Sequence, residues 1–204
     1  MSKYPIIVFE GIEASGKSTS LEKIIKYLKT KKIKYKTFRE PGGTNLSEKL
    51  RSLMLNKKSE LSNKTDLFLL MASRSENIDK ILKKNYKKKV ILIDRFKDST
   101  LAYQHFGMNI SKKFINNLNN IVLKNIKPNF TFLNIVSMKN LKQRINSRKK
   151  NRYDRFNNKF YNKVQKGYIK LAKNKKNYMI VNSNNNILEN KLKIQKKINL
   201  LLSI

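Results

Sequence analysis

Cysteine and tryptophan are absent from this 204-residue chain, histidine occurs once, proline three times and glycine six times, and 13 acidic residues stand against 47 lysines and arginines. Without cysteine there is no disulfide, no thiolate metal site and no cysteine nucleophile, a usage that suits a reducing cytosol. A single histidine excludes a multi-histidine metal centre. The apolar run ending at Phe9 is too short for the core of a signal peptide, and no run approaches the ~20 residues needed to span a bilayer. A soluble, cytoplasmic protein with no membrane partner is therefore expected.

The shortage of acids leaves a formal charge of +34. Such an excess invites a nucleic-acid reading, because lysine and arginine neutralise backbone phosphates. Its distribution argues otherwise: Lys23, Lys26, Lys29, Lys31 and Lys32 are typical of lysines scattered along every helical stretch, with no aromatic interleaving and no groove-reading module. The charge reads as a solvated surface, with weak, salt-sensitive polyanion binding and no specific nucleic-acid partner.

The scarce glycines are placed where they matter. The apolar run Ile6 to Phe9 leads into Gly11-Ile12-Glu13-Ala14-Ser15-Gly16-Lys17-Ser18, and an amphipathic stretch follows from Thr19. Strand, glycine-bounded loop and helix in that order match G-x-x-x-x-G-K-[ST], in which backbone N–H groups surround a phosphate, the lysine reaches the β- and γ-phosphates and the hydroxyl binds Mg²⁺. The helix N-terminus adds partial positive charge. The chain is thus expected to bind ATP or a similar triphosphate.

Along the rest of the chain, apolar positions Leu21, Ile24, Ile25 and Leu28 predict the first helix, and residues 35–38 an extended stretch. Arg39-Glu40-Pro41-Gly42-Gly43-Thr44 forbids regular structure. Helices follow through Leu46 to Met54 and over residues 64–83, where an arginine such as Arg74 ordinarily marks the solvated edge. Val90 to Ile93 reads as a strand buried on both faces, and Asp94 at its carboxyl end stands where a phosphate-bound Mg²⁺ needs support. Helices at 111–124, after Ser137 and at 159–173 alternate with strands at 130–135 and 178–181, and a last helix carries Ile187 to Leu201. Five strands alternating with helices predict an α/β fold: one domain spanning residues 1–204, with a five-stranded parallel sheet covered on both faces. The basic stretch at 148–156 lacks hydrophobic periodicity and suits either a charged surface loop or a lid that closes over nucleotide and excludes water.

Two strings carry a resemblance. Phe38 to Thr44 is similar to the TREPGGT signature of bacterial thymidylate kinases, and Asp94-Arg95-Phe96-Lys97-Asp98-Ser99-Thr100-Leu101-Ala102-Tyr103-Gln104 resembles that family's DR[YFH]-x2-S-[ST]-x-A-Y-Q signature. The likeness extends over nearly the whole chain and implies the P-loop nucleoside monophosphate kinase architecture. It also implies ATP- and Mg²⁺-dependent phosphorylation of dTMP to dTDP by a homodimer. By the same resemblance, Gly11 to Ser18 holds ATP, Ser18 and Asp94 serve Mg²⁺, and Glu13 reaches the acceptor's 3′-hydroxyl. Arg39 and Arg95 grip the acceptor phosphate, and Arg74 binds the thymine edge. Ser99, Thr100, Tyr103 and Gln104 line the nucleoside pocket, the tyrosine crowding out a ribose 2′-hydroxyl. Lys17, Arg95 and the lid arginines Arg148, Arg152 and Arg155 act on the transferring group. Leu70 departs from the family pattern, replacing a phenylalanine that stacks on thymine; Phe68, two residues away, is on another helix face. Asn129, Asn134, Asn157 and Asn182 stand at positions commonly acidic in the family. A kinase for another nucleotide or deoxynucleoside, and a nucleic-acid-binding P-loop ATPase, remain as alternatives that a panel of acceptors separates.

Overall fold

The computed structural model describes residues 4–203. Its centre is a parallel sheet in the order β2-β3-β1-β4-β5, built from β1 (Ile6–Glu10), β2 (Tyr35–Arg39), β3 (Val90–Asp94), β4 (Phe130–Ile135) and β5 (Tyr178–Asn182). All four pairings are parallel, with Ile7 opposite Leu92 on one side and Phe130 on the other. This is the sheet expected from the five apolar runs.

Strand alternation sorts the core into two layers. Ile7, Phe9, Leu92, Phe132 and Val181 pack against α1 (Lys17–Thr30) and α9 (Ile187–Leu202). Ile6, Val8, Ile91 and Ile93 face the opposite way, against the π-helical turn Ile78–Leu82 and Leu123 of α6 (Lys112–Leu123). Around this second layer, α3 (Asn63–Asn77) packs on α2 (Asn45–Leu55) and α6, the short α4 (Lys83–Asn85) on the π-helical turn, and α5 (Lys97–Thr100) on α8 (Asn158–Ala172). Beyond β4 come α7 (Met138–Asn146), a 3₁₀ turn at Arg152–Arg155 and α8, which close over Leu133 and Tyr103.

Helix starts follow side-chain chemistry. Thr44, Ser62, Ser111, Ser137 and Asn157 each accept a backbone N–H from the first turn of the following helix. After β3, α5 continues as a π-helix over Leu101–Gly107, whose wider turn directs Tyr103 and Gln104 together into the interior. The stretch at 148–156 is ordered by a capping box between Asn151 and Asp154 and by burial of Tyr153. Among the described residues, no helix is long and apolar enough to cross a membrane.

Candidate active site

The loops after β1, β2, β3 and β5 meet at one end of the sheet around a cavity of about 530 Å³. Gly11 to Ser18 forms its base. Gly11 has φ +139°, and a Cβ there would lie 2.2 Å from the Asn134 carbonyl oxygen, so only glycine lets β1 turn into this loop beside β4. Ile12 points away into the core. Glu13, Ala14, Ser15, Gly16, Lys17 and Ser18 line the cavity.

Lys17 folds back over the loop, its ammonium donating to the Ile12 carbonyl at 2.7 Å. Burial, followed by the nearby Arg95 charge, lowers its pKa to about 8, against the opposing pull of Asp94, Glu13 and Glu10. Ser18 Oγ donates to Asp94 Oδ2 at 3.3 Å, while Asp94 Oδ1 is buried without a partner. A hydroxyl beside a carboxylate with a spare acceptor fits Mg²⁺. Because no cluster of three acidic or histidine ligands occurs among the described residues, such an ion would take its other ligands from phosphate and water.

A group of guanidiniums lines the cavity beside the P-loop. Arg95 occupies the left-handed region at φ +67°, a strained conformation held by its own contacts. Its Nη1 donates to the Gly11 carbonyl at 2.7 Å and its Nη2 to Glu13 Oε1 at 2.8 Å, with the group lying over the Tyr103 ring. Burial would raise the Glu13 pKa, but Arg95, Lys17, Arg148 and Arg51 together outweigh it and keep the carboxylate ionised. Arg39 pairs with Glu48 at 2.8 Å, and Arg51 donates to the Pro41 carbonyl at 2.9 Å. Burial lowers the Arg51 pKa, and repulsion from Arg39 and Arg95 adds to that. Three mutually repelling cations on one wall make a site for a multiply charged anion.

Deeper in the cavity lie Leu70, Arg74, Ser99, Thr100, Tyr103 and Gln104. Arg74 is not at a solvated edge: it is 2% exposed, pairs with Glu40 at 2.7 Å and donates to Asn119 at 2.7 Å. Helical periodicity misplaced it because a buried counter-ion in the Glu40-Pro41 loop is invisible along the helix. Phe68 points outward, edge-on to Phe114, which leaves Leu70 as the side chain facing the cavity from this part of α3. Tyr103 Oη accepts from the Glu13 amide at 3.1 Å, joining pocket wall and P-loop.

The lid arginines do not gather as the sequence suggests. Arg148 lines the cavity, paired with Asp154 at 2.7 Å and 3.8 Å from Glu13. Arg152 and Arg155 do not line it. Arg152 is drawn into an ion pair with Asp66, and Arg155, exposed on the 3₁₀ turn, points elsewhere. Arg144 does line the cavity, bridging the Ala14 and Ser183 carbonyls at 3.1 and 2.8 Å. Its position on the last turn of α7, four residues before Arg148, was the available signal. Arg51 and the α9 residues Ile187, Asn190, Lys191 and Ile194, which wall the P-loop end, carried no sequence motif.

Five buried polar side-chain atoms lack a partner among the described residues, and four of them, on Glu40, Asp94, Thr100 and Gln104, belong to residues lining this cavity. Unpaired buried polar atoms are costly unless a ligand completes them.

Comparison with known proteins points to the thymidylate kinases. The thymidylate kinase family model matches residues 9–194. The chain is 35% identical over 182 residues to the thymidylate kinase of Thermosipho africanus, covering 89% of this chain and 90% of that protein. It is 37% identical over 187 residues to that of Acholeplasma laidlawii, covering 90% and 92%. The crystal structure of thymidylate kinase from Ehrlichia chaffeensis superposes with a TM-score of 0.78 at 30% identity, covering 96% of this chain and 98% of that one.

Proposed function

The chain belongs to the thymidylate kinase family as a phosphotransferase that converts dTMP to dTDP, and we propose that it takes the phosphoryl group from Mg²⁺-bound ATP on the P-loop. The observation that carries this reading is a single cavity in which Lys17 faces the Arg39, Arg51 and Arg95 wall. The α9 side of the cavity receives the adenosine, and the Leu70, Arg74 and Gln104 side receives the thymine. Mg²⁺ between Ser18 and Asp94 would neutralise charge on the donor phosphates.

In the reaction, an oxygen of the acceptor phosphate forms a bond to the γ-phosphorus while the bond from that phosphorus to the β,γ-bridging oxygen breaks, leaving ADP. Two polyanions must approach each other, so the protein's contribution is positioning and charge cancellation. Arg39, Arg51 and Arg95 hold the acceptor phosphate. Lys17, freed from the Ile12 carbonyl, reaches the β- and γ-phosphates of the donor. Glu13, ionised and flanked by Arg95, accepts from the acceptor's 3′-hydroxyl. Residues 148–156 act as a lid that brings Arg148 to the transferring group and excludes water.

The enzyme works as a homodimer in the cytoplasm. Supporting the dimer, Leu53 of α2, Phe68 of α3 and Phe114 and Ile121 of α6 are exposed on helices of which α2 packs on α3 and α3 on α6. Polyanions bind weakly to the lysine surface, without sequence preference.

A coupled assay of ADP release with ATP, Mg²⁺ and a panel of nucleoside monophosphates tests the reading. dTMP should have the highest kcat/KM, DNA should not stimulate hydrolysis, and Lys17→Ala should lose several kcal/mol of transition-state stabilisation. Preference for another monophosphate, or near-normal kcat in Lys17→Ala, would overturn it.

A further inference from the structure

We propose that Asp66 is a positioning residue whose one carboxylate both fixes the base-reading amide of Gln104 and docks the lid; the inference rests on reading the cavity as a dTMP site. Asp66, in the first turn of α3, is 1% exposed. From the pocket wall it accepts Gln104 Nε2 at 2.9 Å. From the lid it accepts Tyr153 Oη at 2.8 and 3.0 Å and pairs with the Arg152 guanidinium. Arg152 is held again by donating to the Met54 carbonyl at 2.7 Å, at the end of α2.

The consequence for Gln104 is directional. A carboxylate only accepts, so the amide must present its NH₂ group to Asp66 and direct its oxygen elsewhere. That oxygen is buried without a partner, on a residue that lines the cavity with Leu70 and Arg74. A pyrimidine with a hydrogen on N3 supplies the missing donor; one with a lone pair on N3 sets acceptor against acceptor. Turning the amide over would reverse the preference, and Asp66 prevents the turn. The same carboxylate receives two lid side chains, so lid docking and the reading of the base share one anchor.

The probe pair is dTMP and 5-methyl-dCMP, which share methyl, sugar and phosphate and differ only at the N3 and C4 edge. In the unaltered enzyme dTMP is preferred. Asp66→Asn can donate as well as accept, frees the amide, and should lower the dTMP to 5-methyl-dCMP ratio of kcat/KM about tenfold or more, while Asp66→Glu restores most of the ratio. Arg152→Met leaves the Gln104 contact in place and should lower kcat for dTMP with the ratio unchanged. A folded Asp66→Asn with the original ratio, or Arg152→Met with the original kcat, overturns the proposal. Should Asp66→Asn not fold, NMR of the unaltered enzyme decides: the Gln104 side-chain NH₂ should show one proton shifted downfield and slow solvent exchange, and a fast-exchanging, unshifted pair overturns it. If the unaltered enzyme does not phosphorylate dTMP, the functional reading falls, whereas the NMR result still judges the Asp66 contact.

Discussion

The P-loop lysine should give the enzyme a basic limb in its ATP dependence. Lys17 is 5% exposed, and burial together with Arg95 lowers its pKa from 10.5 to about 8 in the nucleotide-free protein. At about 1.4 kcal/mol per unit, that displacement is about 3 kcal/mol of disfavour toward the ammonium, which the triphosphate's charge offsets on binding. One unit above the pKa only about a tenth of the free enzyme carries the charge, so kcat/KM for ATP should fall about tenfold per pH unit above pH 8. kcat, measured with ATP bound, should stay level to higher pH. Initial rates between pH 6.5 and 9.5 separate the two, and calorimetry in buffers of different ionisation enthalpy should show about half a proton taken up per ATP at pH 8. Glu10 also titrates in this range, so the limb near 8 must persist in Glu10→Gln. A flat kcat/KM for ATP across the range, with no proton uptake, would refute a buried, depressed lysine as the phosphate contact.

Glu10 accepts from the Phe96 and Ser99 amides and from Ser99 Oγ and Tyr168 Oη, and burial followed by Asp98 raises its pKa to about 7. The unfolded chain then releases a proton near pH 4.5 that the native state keeps to about 7, so this group's contribution to stability is full below 4.5 and lost as pH rises to 7, by about 3 kcal/mol. Glu10→Gln should gain on the unaltered protein by that amount between pH 5 and pH 8 in urea melts; parallel curves would contradict it. Leu70→Phe should lower KM for dTMP about threefold to tenfold by stacking on the base, read from initial rates with kcat little changed. Arg148→Ala should cost about 100-fold in kcat, whereas Arg155→Ala, removing an exposed side chain away from the cavity, should stay within about twofold. Aspartate at positions 129, 134, 157 and 182 together should leave turnover on dTMP nearly unchanged, and a large change would mean that the asparagines do more than replace acids.

Much of the site is legible in the sequence because it is built from contiguous strings at strand ends. Gly11 to Ser18, Arg39 to Thr44 and Asp94 to Gln104 each follow a strand, and a parallel sheet brings the ends of its strands together whatever the helices do. What is not legible depends on side chains reaching between elements. Arg74 looks solvated until Glu40 is placed against it across the interior. Arg152 and Arg148 look alike in a basic stretch, and only the position of Asp66, 86 residues earlier, separates a guanidinium that leaves the cavity from one that stays. The π-helix after β3 was hidden for a local reason: its wider turn breaks the 3.6-residue period by which helices are recognised.

We propose that the same distinction, between contacts that need a carboxylate and contacts that need only an acceptor, underlies a small part of the +34 charge, the asparagines at 129, 134, 157 and 182 accounting for four charges. Among the 13 acidic residues, Glu10, Glu40, Asp66 and Asp98 are buried, and Glu13 and Asp94 line the cavity. All but Asp98, which accepts from Tyr178 alone, face a guanidinium, several donors at once or the place proposed for Mg²⁺, where an amide would bring a donor against a donor. At Asn129, Asn157 and Asn182 the amide oxygen accepts a backbone N–H, from Ile6, Phe160 and Asn184 respectively, a task that any side-chain oxygen performs. Asn134 differs, donating to Ser20 and Ser183 behind the P-loop, where the Ser20 hydroxyl could donate instead while Ser183 already donates to the Ser15 carbonyl. Losing an acid at such positions is expected to cost little, whereas loss at Glu40 would leave the buried Arg74 guanidinium without its counter-ion, at about 3–5 kcal/mol. Exchanging acids for amides at positions that need only an acceptor raises the net charge while the carboxylates of the cavity stay in place.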